Sequence, residues 1–387
     1  MSIEVFFATN RNPTGTEEQP TFGDFFHPLG PHYIRYGRAQ LVAEDRSALE
    51  DDAKDGEKDS YLADRSVVIG RKYIVKSVKL ENEEIYTPQQ IEEAKSRGRE
   101  LKNILGSDEA FSALQSGMKD EERDAIILIH GYACTFENAL QNAAAIKERY
   151  LVKGKQCQVF VFSWPSDGKT TPIVAYHSDR QDAAASGVAI ARAFLRLRDY
   201  LIKLARRDYC RQRIHLVAHS MGNHALSQAV QGIRSELGDG HIPRLLDHVF
   251  LMCADEDNDA FEHDSKLRQL PEMAQAVHVY FSPDDRALTI SDLTKRNPDR
   301  LGSKGPRLGS NLPRNLTLVD CRSVDSTTLF DGNHQYYHRR LEVVEDVREV
   351  LAGIPAGEIK HRVWMPNEKS FRVVAAKDRK QKRKAAK

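Results

Sequence analysis

The chain has 387 residues, of which 40% are hydrophobic and 29% charged, and its formal net charge is +1. This composition is ordinary for a globular protein with a large core, and the small net charge gives no global field that would favour nucleic acid. No apolar run approaches the roughly 18 residues of a membrane-spanning helix, and the N-terminus lacks the basic and apolar regions of a signal peptide. The cysteines form no close pairs, so we expect reduced thiols and a cytoplasmic location.

The N-terminal part of the chain predicts a β-rich extension. Residues 3–8, 33–42 and 66–78 are apolar and rich in residues that favour strands. Between the last two, residues 44–60 are crowded with charges and predict a solvated loop. Residues 87–105 open with Thr-Pro-Gln-Gln and continue with apolar residues at helical spacing, which predicts a lead-in helix.

The middle of the chain changes to short, almost uniformly apolar runs that alternate with helical patterns. Such runs are typical of parallel strands buried on both faces. The predicted strands are 125–129, 158–162, 214–218, 248–254, 276–281 and 316–321. Residues 181–205 show the clearest helical pattern between them. This alternation predicts an α/β fold with a mostly parallel, doubly wound sheet, helices on both faces and active residues at the carboxyl ends of the strands.

We therefore divide the chain into three segments. Residues 1–120 form the β-rich extension, residues 121–354 the main α/β domain, which contains the candidate site residues described below, and residues 355–387 a C-terminal extension. The last of these ends in a basic tail over residues 377–387. A solvated, disordered tail is the favoured interpretation, and an electrostatic tether to nucleic acid or acidic lipid is the alternative.

The strongest functional signal is the sequence Ala-His-Ser-Met-Gly-Asn over residues 218–223, which follows a predicted strand and precedes a helical pattern. This arrangement is typical of a nucleophile elbow, in which a serine stands on a sharp turn between strand and helix. The turn is cramped and needs small neighbours, and Ala218 and Gly222 provide them. Ser220 is the predicted nucleophile. A serine that only caps the following helix is the structural alternative.

A serine hydroxyl needs a histidine as its base, and the histidine needs a carboxylate to orient it. In this fold the three follow the chain order Ser, Asp or Glu, His. Asp285 stands just past the predicted strand 276–281, and His334 lies in a polar loop before the last helix. Asp255 is the alternative acid, because some hydrolases take the carboxylate one strand earlier. His338 competes weakly with His334.

The oxyanion hole is predicted from a strand that ends in His130 and Gly131. The amide groups of Tyr132 and Met221 would be its two donors. His130 and His219 flank these positions and are expected to pack or to form hydrogen bonds rather than to act as bases. No motif for a cofactor or a metal ion is recognised.

The sequence resembles a bacterial family of α/β-hydrolase-fold proteins of unknown function with esterase- or lipase-like character. The similar segments are Val5 to Arg11, His130 to Tyr132, Phe136 to Ala139, Phe162 to Ser166, Asp179-Arg180, His215 to Asn223, Ala254 to Asp257, Asp285 to Leu288 and Gly332 to His334. By this likeness Ser220 is the nucleophile, Asp285 the acid and His334 the base. The chain departs from the family where Asn333 separates Gly332 from the histidine.

The prediction is a serine hydrolase that cleaves a carboxylic ester or a related small-molecule or lipid-like acyl compound. Acyl transfer and peptide cleavage are alternatives on the same fold, because an acyl-enzyme does not dictate its acceptor. A non-catalytic binding or scaffold module is an alternative of another class.

Overall fold

The structure is a computed structural model that describes residues 2–44, 72–84, 88–100, 102–167, 174–204, 208–288, 299–307, 312–324 and 334–374. The predicted basic tail over 377–387 lies outside these residues, as do residues 45–60 of the charged segment, the first part of the predicted strand 66–78, and Asn333. Within the described ranges, no helix combines the length and the apolar character needed to cross a membrane.

The strands are β1 (Ser2–Thr9), β2 (Arg11–Pro13), β3 (Phe22–Phe26), β4 (Arg35–Glu44), β5 (Lys72–Leu80), β6 (Ala125–Ile129), β7 (Leu151–Val152), β8 (Lys155–Gln156), β9 (Gln158–Ser163), β10 (Ile214–His219), β11 (Leu246–Met252), β12 (Ala274–Phe281), β13 (Leu316–Asp320), β14 (Arg362–Met365) and β15 (Ser370–Val373). The helices are α1 (Pro88–Ser96), α2 (Gly106–Asp120), α3 (Phe136–Arg149), α4 (Val174–Lys203), α5 (Gly222–Leu237), α6 (Leu270–Met273), α7 (Leu301–Lys304), α8 (Tyr336–Arg339) and α9 (Leu341–Leu351).

Eleven of the described strands form one sheet in the order β14-β15-β13-β12-β11-β10-β6-β9-β1-β4-β5. The neighbouring strands from β15 to β1 are parallel, whereas β14, β4 and β5 pair antiparallel at the two sides. The predicted mostly parallel α/β sheet is confirmed. The carboxyl ends of β6, β10, β11 and β12 meet at one edge, because these strands are adjacent and parallel.

Two apolar layers cover the sheet. Helices α2, α4 and α5 bury their apolar faces on one side, with Phe111, Phe194 and Leu226 among the buried side chains. Helices α3 and α9 cover the other side, where Ile146 and Val347 are fully buried. Because both faces are covered, the central strands can consist almost wholly of apolar residues, as their sequences do.

The lead-in helix is the clearest difference from the predicted elements. The sequence predicts one helix over residues 87–105, but α1 ends at Ser96 and α2 begins only at Gly106. Gly98 has a φ of +69°, a left-handed conformation that ends a helix and that glycine adopts without steric cost. Leu105, the last apolar residue of the predicted pattern, is extended and caps α2 instead. Thr87 lies outside the described residues.

Three histidines form a row across neighbouring strands of the sheet. His215 stacks against His248 with ring centroids 5.4 Å apart, and His248 Nδ1 lies 3.1 Å from His278 Nε2. Burial lowers the pKa of His278 well below its ordinary value, and burial together with His215 lowers the pKa of His248 to about 4. The folded protein therefore holds the rings of His248 and His278 neutral.

The histidine row predicts acid-sensitive stability. A histidine with a lowered folded pKa binds fewer protons in the folded state than in the unfolded state, so stability is complete above about pH 6.5 and falls as the pH drops toward 4. We expect the melting temperature to fall steadily between pH 6.5 and 4. The His248→Gln variant should show a shallower fall in the same calorimetric series, and an equal slope in the variant would contradict the assignment.

Candidate active site

Ser220 stands at the junction of β10 and α5 in a strained backbone conformation. Its φ is +52°, in the left-handed region that residues with a side chain rarely adopt. The Ser220 N–H donates to the carbonyl of Met252 at 2.9 Å, and its own carbonyl accepts from the Asn223 N–H at 3.0 Å. The Asn223 side-chain amide donates to the carbonyls of Ala218 and Ser220, each at 3.0 Å. These bonds hold the turn against its strain.

Two glycines make room for this turn. A Cβ atom on Gly222 would lie 2.5 Å from the carbonyl oxygens of both Ile129 and His130, at the end of β6. A Cβ on Gly131 would lie 2.7 Å from Cβ of Ser220. No larger residue fits at either position without moving backbone, so both glycines are required by close approach. The serine turn and the loop after β6 are thus in van der Waals contact.

Asp285 and His334 form a buried pair. Asp285 follows β12 and is fully buried, and His334 Nδ1 lies 2.7 Å from Asp285 Oδ2. The other carboxylate oxygen, Oδ1, accepts from the backbone N–H of Leu288 at 3.2 Å. The carboxylate is therefore fixed by its own turn and can hold the imidazole in one orientation.

The main chain of His334 is held beside the serine turn by two side chains. His219 Nε2 lies 3.1 Å from the His334 carbonyl oxygen, and Cys253 Sγ lies 3.0 Å from the same oxygen. The His219 ring also stacks on Tyr337 at a centroid distance of 4.4 Å. Burial lowers the pKa of His219 well below its ordinary value, so a neutral ring donates its Nε2 proton to the carbonyl. The structure therefore places His219 in a hydrogen-bonding position.

His130 holds the loop over residues 130–135, which we call the β6 loop. Its Nδ1 lies 2.9 Å from the Gly131 carbonyl, and its Nε2 accepts from the Trp164 N–H at 3.1 Å. The Trp164 indole N–H donates to the His130 carbonyl at 2.9 Å, and the two rings stack. Burial lowers the pKa of His130 to about 3, so the ring stays neutral with its proton on Nδ1. This tautomer satisfies both ring nitrogens.

The two predicted oxyanion donors belong to segments that meet at the serine. Met221 follows Ser220 directly and is fully buried at the start of α5. Tyr132 follows Gly131, which lies in close contact with Ser220. The structure thus brings both segments to Ser220. Their role as donors stays a prediction, because it depends on where a substrate oxygen binds.

A buried arginine from the N-terminal segment supports the β6 loop, and this role has no counterpart among the sequence predictions. Arg11 begins β2 and is fully buried. Its guanidinium donates to Ser163 Oγ at 2.9 Å and to the carbonyls of Cys134 at 2.6 Å, Gly23 at 3.0 Å and Ser166 at 3.2 Å. These acceptors belong to three separate chain segments. A single cation therefore joins the hairpin of β2 and β3 to the β6 loop and to the end of β9.

Asp179 on α4 completes this support. Its carboxylate accepts from the Ser166 hydroxyl and lies 3.4 Å from the N–H of Ala133. Ser166 Oγ in turn accepts from the Cys134 N–H at 3.1 Å. Ala133 has a φ of +52°, so the β6 loop is itself strained and depends on these contacts. Arg11 and Asp179 are parts of the resemblance described above, but nothing in the sequence indicates that they meet at one loop.

Replacing Arg11 by methionine should loosen the β6 loop. The variant leaves several buried carbonyls without a donor, and we expect the free energy of unfolding to fall by about 3 kcal/mol. In an ester-hydrolysis assay kcat should fall more than KM rises, because the loop carries the predicted donor Tyr132. The control is Arg307→Met, which removes an exposed ion pair with Glu262 and should leave the unfolding midpoint nearly unchanged. Equal effects in denaturant titrations of the two variants would contradict the assignment.

The carboxylate of Asp255, the alternative acid, contacts a tyrosine and two arginines. The Asp255 backbone N–H donates to the Ser220 carbonyl at 3.1 Å, but its carboxylate accepts from the Tyr176 hydroxyl at 2.7 Å. Arg300 Nε lies 3.2 Å from Asp255 Oδ1, and Arg180 lies 3.8 Å from the same oxygen. Asp255 is thus part of a buried ion-pair cluster, whereas Asp285 is the carboxylate at His334.

His338, the weaker candidate base, lies in α8 and contacts other groups. Its Nδ1 lies 2.9 Å from an Arg149 guanidinium nitrogen, and its Nε2 lies 3.0 Å from the Gln335 side-chain oxygen. Burial and the nearby Arg149 lower the pKa of His338 well below its ordinary value. The ring is therefore a neutral packing group beside α3.

Comparison with known proteins identifies the family. A model described as "Alpha/beta hydrolase of unknown function (DUF900)" matches residues 107–352, which is more than half of the chain. No curated protein matches the sequence. The matched region begins in α2 and ends after α9, so it includes Ser220, Asp285 and His334 but leaves out Arg11 and strands β1 to β5. The resemblance seen in the sequence is confirmed: the chain belongs to this family of α/β hydrolases of unknown function.

Proposed function

We propose that the protein is a serine hydrolase that cleaves a carboxylic ester or a related acyl compound through an acyl-enzyme. One observation carries this proposal. A serine held at a φ of +52° lies at the same sheet edge as a histidine whose Nδ1 is 2.7 Å from a fully buried carboxylate. A left-handed serine is costly, and such strain is retained where function requires it.

In the first step, His334 takes the proton of Ser220 as the hydroxyl oxygen attacks the substrate carbonyl. Asp285 keeps the Nδ1 proton on its side of the ring, so Nε2 is the nitrogen available to accept. The contact between Ser220 Oγ and this nitrogen is inferred from the hydrogen bonds that join the carbonyl of His334 to His219 and Cys253. The imidazolium then protonates the leaving alcohol, and an acyl-serine remains.

The tetrahedral intermediate carries a negative oxygen, which the amide groups of Tyr132 and Met221 would stabilise. Each such donor contributes on the order of 3 kcal/mol to barrier lowering. The second step repeats the chemistry with water: His334 removes a proton from water, the hydroxide attacks the acyl-serine, and the carboxylic acid leaves as Ser220 regains its proton. Atoms and protons balance over the two steps, with water as the co-substrate.

A fluorophosphonate probe tests the proposal directly. The intact protein should take up one equivalent, and mass spectrometry of the digest should place it on Ser220. Labelling should disappear in Ser220→Ala and persist in Ser227→Ala, which removes a buried serine from the following helix. The absence of labelling on folded wild-type protein would contradict the proposal.

A further inference from the structure

A cluster of three metal-ligating side chains lies directly beside the proposed triad. His219 precedes the nucleophile on β10, Cys253 follows β11, and His334 is the proposed base. One ligand atom from each residue lies within 4.8 Å of the other two. Among the described residues, no other group of three histidine, cysteine or carboxylate side chains brings its ligand atoms this close together. The cluster is built by three separate chain segments.

The ligand atoms of the cluster lie farther apart than those of a metal site, and two of them share one hydrogen-bond partner. His219 Nε2 and Cys253 Sγ approach one carbonyl oxygen, that of His334, at 3.1 and 3.0 Å. In a tetrahedral zinc site the bonds are about 2.0–2.1 Å to nitrogen and about 2.3 Å to sulfur, which puts neighbouring ligand atoms roughly 3.3–3.7 Å apart. Contraction by about 1 Å from the 4.8 Å limit would bring the three ligand atoms within reach of one ion.

The chemistry of the donors selects the ion. A thiolate with two neutral imidazoles suits Zn²⁺, whereas Mg²⁺ and Ca²⁺ require oxygen ligands. Binding therefore releases the Cys253 thiol proton to the solvent, and it replaces the hydrogen bonds that Cys253 and His219 make to the His334 carbonyl. Cys253 has a φ of +49° and is fully buried, so its side chain is held in a fixed direction toward the histidine loop. We infer that His219, Cys253 and His334 form a Zn²⁺ site, and that the bound ion inhibits the enzyme.

The inhibition follows from the identity of one ligand, and this part of the inference rests on the proposed function. If the ion takes Nδ1 of His334, it displaces Asp285 from its 2.7 Å contact. If it takes Nε2, it occupies the nitrogen that must accept the Ser220 proton. Either way the imidazole cannot act as a base, so zinc binding and acyl-enzyme formation exclude each other.

Metal binding is tested first, without any need for activity. Co²⁺ added to the folded wild-type protein should give a thiolate-to-cobalt charge-transfer band that saturates at one equivalent, and Zn²⁺ should remove it by competition. The band should vanish in Cys253→Ala, and Zn²⁺ affinity should fall at least about 100-fold there and in His219→Gln. Cys157→Ala, which removes another buried cysteine, is the control and should bind as wild type. Calorimetric melting checks that each variant is folded.

The second measurement links the ion to the active site. Zn²⁺ should slow fluorophosphonate labelling of the wild type and of Cys157→Ala, and should have little effect on Cys253→Ala relative to its own metal-free rate. An absent cobalt band, or a band unchanged in both ligand variants, would overturn the metal site. Labelling that is absent with and without zinc, beside a normal cobalt band, would contradict the hydrolase proposal and leave the site intact.

Discussion

Ser220→Ala should lower kcat for an activated ester by roughly a million-fold, the largest effect expected from any single change in the protein. The variant removes the oxygen that would form the proposed acyl-enzyme, while the proposed oxyanion donors remain. The remaining rate should still exceed that in water, because those groups stabilise the intermediate on their own. Stopped-flow kinetics should show a burst of product in the wild type and none in the variant.

The same position tests the strain at the turn. Alanine and serine both carry a Cβ and meet the same left-handed penalty, so Ser220→Ala should melt near the wild-type temperature. Ser220→Gly relieves the penalty and should be more stable by about 1 kcal/mol, in spite of being inactive. Loss of stability in the glycine variant would show that the φ of +52° is not a strained feature of the native turn. Activity above about 1% in Ser220→Ala, measured on protein free of wild-type carry-over, would place the nucleophile elsewhere.

The parallel strands could be predicted because each is buried on both faces and is therefore a short apolar run. Strand β6 has the predicted ends, and β10 extends the predicted 214–218 by one residue to His219. Strand β11 lies two residues earlier than predicted, since its first residues include partly buried polar side chains. Burial on both faces leaves a strong compositional signal, and partial burial leaves a weaker one.

The contacts between distant segments could not be predicted in the same way. Strand β1 pairs with β9, which lies far along the chain, and β4 and β5 continue the sheet from there. No local pattern encodes such a pairing. The support that Arg11 gives to the β6 loop depends on the pairing of β1 with β9, because Arg11 begins β2, which follows directly after β1. A single arginine at the end of an apolar run is usually a surface residue, and its full burial is visible only in the fold.

The order of residues along the chain did limit the choice of acid, but it did not decide it. Asp255 and Asp285 both follow a buried strand, and neighbouring strands end at the same edge of the sheet. What separates them is their partners. Asp285 has a histidine at 2.7 Å, and Asp255 has an arginine at 3.2 Å and a tyrosine hydroxyl at 2.7 Å. Those partners come from loops and from α4, whose approach the strand pattern does not determine.

Asp285→Asn and Asp255→Asn should therefore have opposite consequences. In Asp285→Asn the introduced amide faces His334 and favours the wrong imidazole tautomer, so kcat should fall about 10⁴-fold with little change in melting temperature. Asp255→Asn takes one of two paired carboxylates from the buried Arg300, and removing one partner from a buried ion pair costs about 3–5 kcal/mol of stability. Its kcat should fall far less, since no reacting atom loses a contact.

The pair of variants separates the two carboxylates because each is reported by a different measurement. Single-turnover kinetics at saturating substrate report on proton transfer, and urea unfolding reports on the ion-pair cluster. A large kcat loss in Asp255→Asn, with Asp285→Asn nearly active, would assign the acid to the end of β11 and reduce the Asp285–His334 contact to a structural role. The expected outcome assigns catalysis to the carboxylate that contacts an imidazole, since the Asp255 carboxylate, already neutralised by two arginines, would stabilise an imidazolium poorly.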